Sequence, residues 1–129
     1  MNTKEKTERF EILENNLEVK DRKTGLVWRK DNKKDVTWDE ALKYAASLGD
    51  DWRLPTIEEL ETLINKGRRN PASDFPDMPS ESFWSSSSYV NYSGSAWGVY
   101  FGSGYAGYYY QTGAASARCV RDGESDGTV

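Results

Sequence analysis

Histidine is missing altogether from this 129-residue chain, and cysteine occurs once, as Cys119. Without histidine the chain lacks the commonest general base, the usual activator of a nucleophile and the commonest metal ligand. A single cysteine excludes an internal disulfide, and in the alternating stretch around Ala117, Cys119 and Arg121 it reads as a buried structural thiol. There is no run of 18 apolar residues, and the first ten residues hold charge instead of an apolar leader core. The chain as given is therefore expected neither to insert into a membrane nor to export itself. That places it in the cytoplasm, unless a longer precursor or a particle such as a phage virion carries it out.

An excess of positive charge is also missing. Seventeen Lys and Arg stand against 21 Asp and Glu, a net charge of −4. A nucleic-acid partner is excluded, because phosphate contacts need a concentrated basic face. The bases are scattered among as many acids through the first 70 residues, and the cluster Lys66 to Arg69 reads as the charged end of a helix.

Charge is most conspicuously absent between Phe83 and Arg121. That stretch has no Asp, Glu or Lys, its only charges are Arg118 and Arg121, and it holds seven of the chain's eight tyrosines. Tyr with Ser, Gly and Asn is the composition of binding surfaces: Tyr gives large contact area for few frozen rotors, and Ser and Gly give adaptable polar contact. The same alternation also describes a sheet with one face in the core. Along one strand, Trp97, Val99 and Phe101 share a face assigned to the core, and Ala96, Gly98 and Tyr100 the face assigned to the surface. Trp52 and Trp84 join the expected core.

Around this segment the chain reads as one domain over residues 10–122, with a loose charged arm at 1–9 and a flexible tail at 123–129. Residues 10–19 and 26–28 read as strands on either side of the polar turn 21–25. Thr37-Trp38-Asp39-Glu40 and Thr56-Ile57-Glu58-Glu59 are capping boxes, each opening an amphipathic helix; Gly49 and Gly67 are the expected terminators. Three of the four prolines fall in the irregular connection 70–82. Strands are expected at 83–90, 96–101, 105–111 and 117–121, which makes the chain α+β. Gly102-Ser103-Gly104-Tyr105-Ala106-Gly107 spells a dinucleotide fingerprint, but a strand follows where that motif needs a helix, so its glycines read as a hairpin turn.

Six ordered blocks carry a family resemblance: Thr24-Gly25-Leu26-Val27-Trp28; Thr37-Trp38-Asp39-Glu40-Ala41-Leu42; Trp52-Arg53-Leu54-Pro55-Thr56 with the residues to Leu60; Phe83-Trp84-Ser85-Ser86-Ser87; Ala96-Trp97-Gly98-Val99-Tyr100-Phe101; and Arg118-Cys119-Val120-Arg121. Over residues 17–121 the chain resembles the DUF1566 family, which includes the C-terminal domain of a Legionella collagen-like adhesin. The resemblance implies a C-type lectin-like fold of the formylglycine-generating-enzyme branch, with two helices and a small, irregular, mostly antiparallel sheet. It also implies kinship with variable proteins of diversity-generating retroelements, whose Asn codons are rewritten at adenines to Gly, Ser, Ala, Thr or Tyr. Ser93, Ser95, Gly98, Ser103, Gly107, Ala114 and Ser116 are such residues; a Gly/Ser-rich loop would carry them as well. The enzymes of that branch work through two cysteines, and this chain has one.

The expectation is a non-catalytic receptor-binding domain, with residues 10–84 as scaffold and 89–117 as the displayed surface. Tyr92, Tyr100, Tyr105 and Tyr109 are the expected anchors. Ser93, Ser95, Ser103, Gln111, Thr112 and Ser116 are the expected polar contacts, with Gly98, Gly107 and Ala114 completing the set. The partner would be a protein or glycan on a cell or phage target. No cofactor, catalytic residue or metal ligand is assigned: calcium needs six or more oxygens, and this segment offers only Asn91, Gln111 and hydroxyls. A structural ion elsewhere stays open. The alternatives are a sulfated-glycan adhesin and a carboxylate-based enzyme. Arg53 and Arg118 are expected to fix loops through backbone carbonyls.

Overall fold

The computed structural model describes residues 8–123. Nine strands and two helices follow one another as β1 (Phe10–Ile12), β2 (Glu18–Asp21), β3 (Val27–Arg29), β4 (Lys33–Val36), α1 (Trp38–Ser47), α2 (Ile57–Glu61), β5 (Ser82–Ser88), β6 (Ser95–Tyr100), β7 (Tyr105–Tyr110), β8 (Ala115–Ala117) and β9 (Val120–Arg121). One sheet runs β1-β2-β3-β9 and the other β4-β8-β5-β6-β7. All pairings are antiparallel except β5 with β8. The chain is α+β, as its order of helix and strand signals requires.

Both capping boxes form. The Thr37 hydroxyl accepts the Glu40 N–H while Glu40 accepts the Thr37 N–H, and Thr56 and Glu59 repeat the exchange. The first helix turns off at Leu48 and Gly49, which takes φ of +67°. The second ends at Glu61, well short of the expected Gly67. Continuing it would need the Thr62 carbonyl to accept the Lys66 N–H. That carbonyl instead accepts from Arg9, and the Asn65 N–H donates to Ala72. Leu63 and Ile64 still reach the core from the turn beyond.

Arg9 also corrects the expected loose arm at its last residue, because its guanidinium grips buried Asp21 in a two-pronged ion pair. Glu8 is held too, its carbonyl accepting from Arg22, and Gly123 at the start of the expected tail lies close against Gly25; the rest of both expectations, residues 1–7 and 124–129, lies outside the described residues. Strand β4 was not legible beforehand, since three of its four residues are charged; it exists because β8 pairs with it. The expected strand 117–121 is two strands in two sheets, with Arg118 and Cys119 as the step between them. Arg118 is buried there without an ion pair. It donates to the carbonyls of Arg29 and Lys30 and lies over the rings of Phe75 and Phe83. Burial lowers its pKa to about 10.

The core has two halves on opposite sides of β5 and β6. Phe83, Val99 and Phe101 pack with Ile57, Leu60, Leu63, Trp28 and Phe75. Trp84, Ala96, Ala117 and Cys119 pack with Ala41, Ala45, Trp52 and Leu54. This corrects the face assignment of β6. Val99 and Phe101 are buried as expected, but Trp97 is only half-buried, and Ala96 and Gly98 on the opposite face are buried too. Alternation marks two faces, but it cannot tell which of them is covered.

Candidate ligand-binding surface

The serine run of the fourth block is structural. Between Trp84 and Ser88 the register of β5 against β6 shifts, and the extra residues are held by their own hydroxyls. Ser85 Oγ donates to the Trp97 carbonyl and accepts the Ser87 N–H, while Ser87 Oγ accepts the N–H of Ile57 at the start of α2. Ser86 N–H reaches the Pro55 carbonyl, and the Trp38 indole donates to Ser85 O. The bulge thus fastens β5 to the N-termini of both helices. The third block is fastened the same way: Arg53 forms a forked pair with the capping residue Glu59, at 2.7 and 2.9 Å, and reaches Asp122. That is stronger than the carbonyl bond expected of it, which is 3.4 Å to Leu54 O.

Above this scaffold lie β6, β7 and the turn 89–94. Exposed large apolar or aromatic side chains among the described residues are Ile12, Leu17, Val90, Tyr92, Tyr100, Tyr105, Tyr108 and Tyr110, six of them in this region. Tyr89 and Tyr108 stack with ring centroids 4.2 Å apart and planes 3° from parallel. Tyr92 lies near-parallel at 5.7 and 5.6 Å from them, and the edge of Trp97 closes the group. Loss of water and then the neighbouring tyrosines push the Tyr108 phenol above its ordinary pKa, so it is neutral at physiological pH. A platform of neutral rings offers dispersion contact, CH–π stacking and hydroxyl hydrogen bonds.

The thirteen expected contact residues divide three ways. Tyr92, Ser93, Tyr100, Ser103, Tyr105, Thr112 and Ala114 are exposed. Tyr109 and Gln111 are half-buried. The Tyr109 ring packs edge-on against Trp84 and its phenol pKa is raised by burial against an opposing bond to Ser82. Gln111 ties the hairpin, its amide donating to Ser95 O and its carbonyl accepting the Trp38 N–H. Ser95, Gly98, Gly107 and Ser116 are buried, so their expected display at the surface is corrected. A Cβ on Gly98 would stand 2.6 Å from the Phe83 carbonyl oxygen and 3.1 Å from the Tyr109 ring. Gly107 seats the ring of Tyr105. Ser116 donates to Glu81.

Tyr89, Tyr108 and Tyr110 were not expected as contacts, and they form much of the exposed platform. A signal existed: in Tyr108-Tyr109-Tyr110 the outer two must share a face opposite the middle one. What was missing was the register, which pairs Tyr109 with buried Ala96 and Tyr108 with half-buried Trp97.

A groove of about 780 Å³ lies away from the tyrosines, lined by Glu18, Asp50, Asp51, Trp52, Arg53, Arg121 and Asp122. Arg29 and Arg121 flank the Trp52 ring at 5.4 and 5.2 Å. Each arginine here is already paired: Arg29 with Asp31, Arg53 with Glu59 and Asp122, Arg121 with Glu18. Among the described residues no three His, Cys, Asp or Glu side chains gather as a metal site, and no helix is long and apolar enough to cross a membrane. Cys119 is wholly buried, and burial raises its thiol pKa to about 12, so it is neither a thiolate nor in reach of a substrate.

The six ordered blocks thus meet in one scaffold of caps, bulge and sheet step, and a family model built on such a pattern matches residues 17–121. The chain belongs to the Lcl C-terminal domain family. No curated protein matches it.

Proposed function

We propose that this Lcl C-terminal domain is a non-catalytic recognition module, adhesin-like as its family suggests, that holds a protein or glycan ligand against the tyrosines of β6, β7 and the turn 89–94. The observation that carries this reading is the stack of exposed Tyr92 and Tyr108 on half-buried Tyr89, in a stretch without Asp, Glu or Lys. Exposed aromatic patches of this kind mark interaction sites. The C-type lectin-like reading of the fold belongs to the same proposal and rests on the resemblance of the six blocks. So does retroelement diversification, which would act on solvent-facing Ser93, Ser103, Thr112 and Ala114, since Gly98 has no room for a side chain. A near-copy of those codons differing at adenines, beside a reverse transcriptase gene, is the expected mark.

A sulfated glycan fits less well. Arg118 is buried and Arg121 is paired with Glu18, which leaves Lys66 beside Tyr105 as a lone cation at the border of the tyrosine surface among the described residues, where a polyanion needs several. The test is a screen of the chain against neutral glycans, sulfated glycans and cell-surface proteins, followed by calorimetry on the binder found. Tyr92→Ala and Tyr108→Ala should each weaken binding by roughly 1–4 kcal/mol, with a shallow salt dependence. A steep salt slope, with losses at Lys33 or Lys34 in place of the tyrosines, would overturn the reading.

A further inference from the structure

Strand edges invite pairing, and this chain guards its edges unequally. Strand β4, one edge of the five-stranded sheet, carries Lys33 and Lys34, an irregular register and Asp35 at φ +57°. Strand β1, the edge of the other sheet, is three residues long with Glu11 paired to Arg22. Charge, irregularity and shortness are the usual protections against edge-to-edge association. Strand β7 has none of them: it runs six residues, Tyr-Ala-Gly-Tyr-Tyr-Tyr, in unbroken register with β6, without charge or proline.

The ladder fixes which groups are free. Gln111 N–H donates to the Gly94 carbonyl directly opposite it, so Tyr105, Gly107 and Tyr109 turn their backbone groups toward β6. Ala106, Tyr108 and Tyr110 turn theirs outward, where the Tyr110 carbonyl already accepts the Gly113 N–H. Those three are symmetric about Tyr108. If a second β7 lay antiparallel across a twofold axis there, Ala106 would face the other copy's Tyr110, and Gly107 its Tyr109. Small stands opposite large at both flanking steps, the two Tyr108 face each other on the axis, and no charge meets its like although each chain carries −4. Beside Ala106, on the side of α2, lies a groove of about 650 Å³ lined by Glu61, Ile64, Lys66, Gly104 and Tyr105. Tyr110, 78% exposed, has an apolar body that can enter it.

We propose that β7 is the pairing edge for a second copy of this chain, joining two five-stranded sheets into one and seating each Tyr110 ring in the other copy's Ile64–Ala106 groove. The inference rests on the edge and the groove, independently of any ligand. It would set two tyrosine surfaces side by side, so that weak single-site binding gains from avidity.

Sedimentation velocity from about 1 to about 200 µM tests it, a range that brackets ordinary weak self-association. The mass should rise from 14.6 kDa toward twice that value. Tyr108→Pro removes an outward N–H that the fold does not use, a change edge strands tolerate. Tyr110→Ala empties the groove without touching the core. Each should raise the midpoint concentration at least about tenfold, while Lys34→Ala leaves it unchanged. A mass that stays at one copy throughout, a mass of three copies, or a dimer indifferent to both tyrosine variants would overturn the proposal.

Discussion

Residues up to 82 and residues from 83 onward satisfy their buried polar groups with different chemistry. In the first region ion pairs do much of it: Arg9 with Asp21 and Arg53 with Glu59. In the second, neutral groups do it: Ser85 and Ser87 in the bulge, Gln111 on the hairpin, and main-chain pairing along β6 and β7. A region held by ion pairs draws its stability partly from charge and is sensitive to pH. Residues 83–117, held by hydroxyls and backbone, carry no charge at all, which leaves their outer surface free to display rings; charge resumes at buried Arg118 and at Arg121, paired with Glu18. Within the second region the aromatic residues divide by type. Trp84, Phe83 and Phe101 are buried, while Tyr92, Tyr105, Tyr108 and Tyr110, each with a hydroxyl that water can satisfy, stand outside.

The sharpest way to break the comparison is to truncate one aromatic of each kind. Trp84→Ala removes a buried indole that also donates to the Val36 carbonyl, and should cost about 3–5 kcal/mol in urea denaturation. Tyr105→Ala should cost no more than about 0.5 kcal/mol, since its ring is largely in water. Half-buried Trp97 should fall between them. Equal losses for Trp84 and Tyr105 would erase the distinction between core and display.

Acid should act on the first region. Burial pushes the Asp21 carboxyl up, but Arg9, the Lys23 N–H and Thr24 together outweigh it and hold the pKa below 3.8. Glu59 is lowered in the same way, burial being outweighed chiefly by Arg53. A carboxyl whose folded pKa is depressed contributes stability that is complete above its unfolded value and is lost as pH falls through the folded one. Thermal melts should therefore decline below about pH 4. Asp21→Asn should lose about 1.5–3 kcal/mol at neutral pH and progressively less of that difference below pH 4. A gap between variant and wild type that stays constant down to pH 2 would remove Asp21 from this role.

The smallest effect is the most specific to the second region. If the near-parallel rings of Tyr89 and Tyr108 attract each other, a double-mutant cycle to Ala should return a coupling of about 0.5–1.5 kcal/mol in stability. Zero coupling would reduce the platform to rings that merely lie close.

Much of the scaffold could be read in the chain because its signals are local. The two Thr-x-x-Glu boxes, the stop at Gly49 and the turn at Gly102-Ser103-Gly104 each depend on a few adjacent residues. The late strands at 83–90, 96–101 and 105–111 were placed to within two residues for the same reason. The candidate surface was legible as a segment, through its missing charge and its tyrosines, but only in part residue by residue.

What the sequence by itself determined was the two helix starts and the strands that follow them up to residue 111, the α+β class, the family and the uncharged, tyrosine-bearing stretch, since these follow from composition and short-range pattern. Tertiary structure alone decided that both sides of β6 are covered, that the chain steps between sheets at Arg118, that α2 stops when Arg9 takes its carbonyl, and that Tyr108 faces outward while Tyr109 packs on Trp84. The reason is physical: a period of two says that successive side chains oppose each other, but which face meets water depends on partners that arrive from distant parts of the chain.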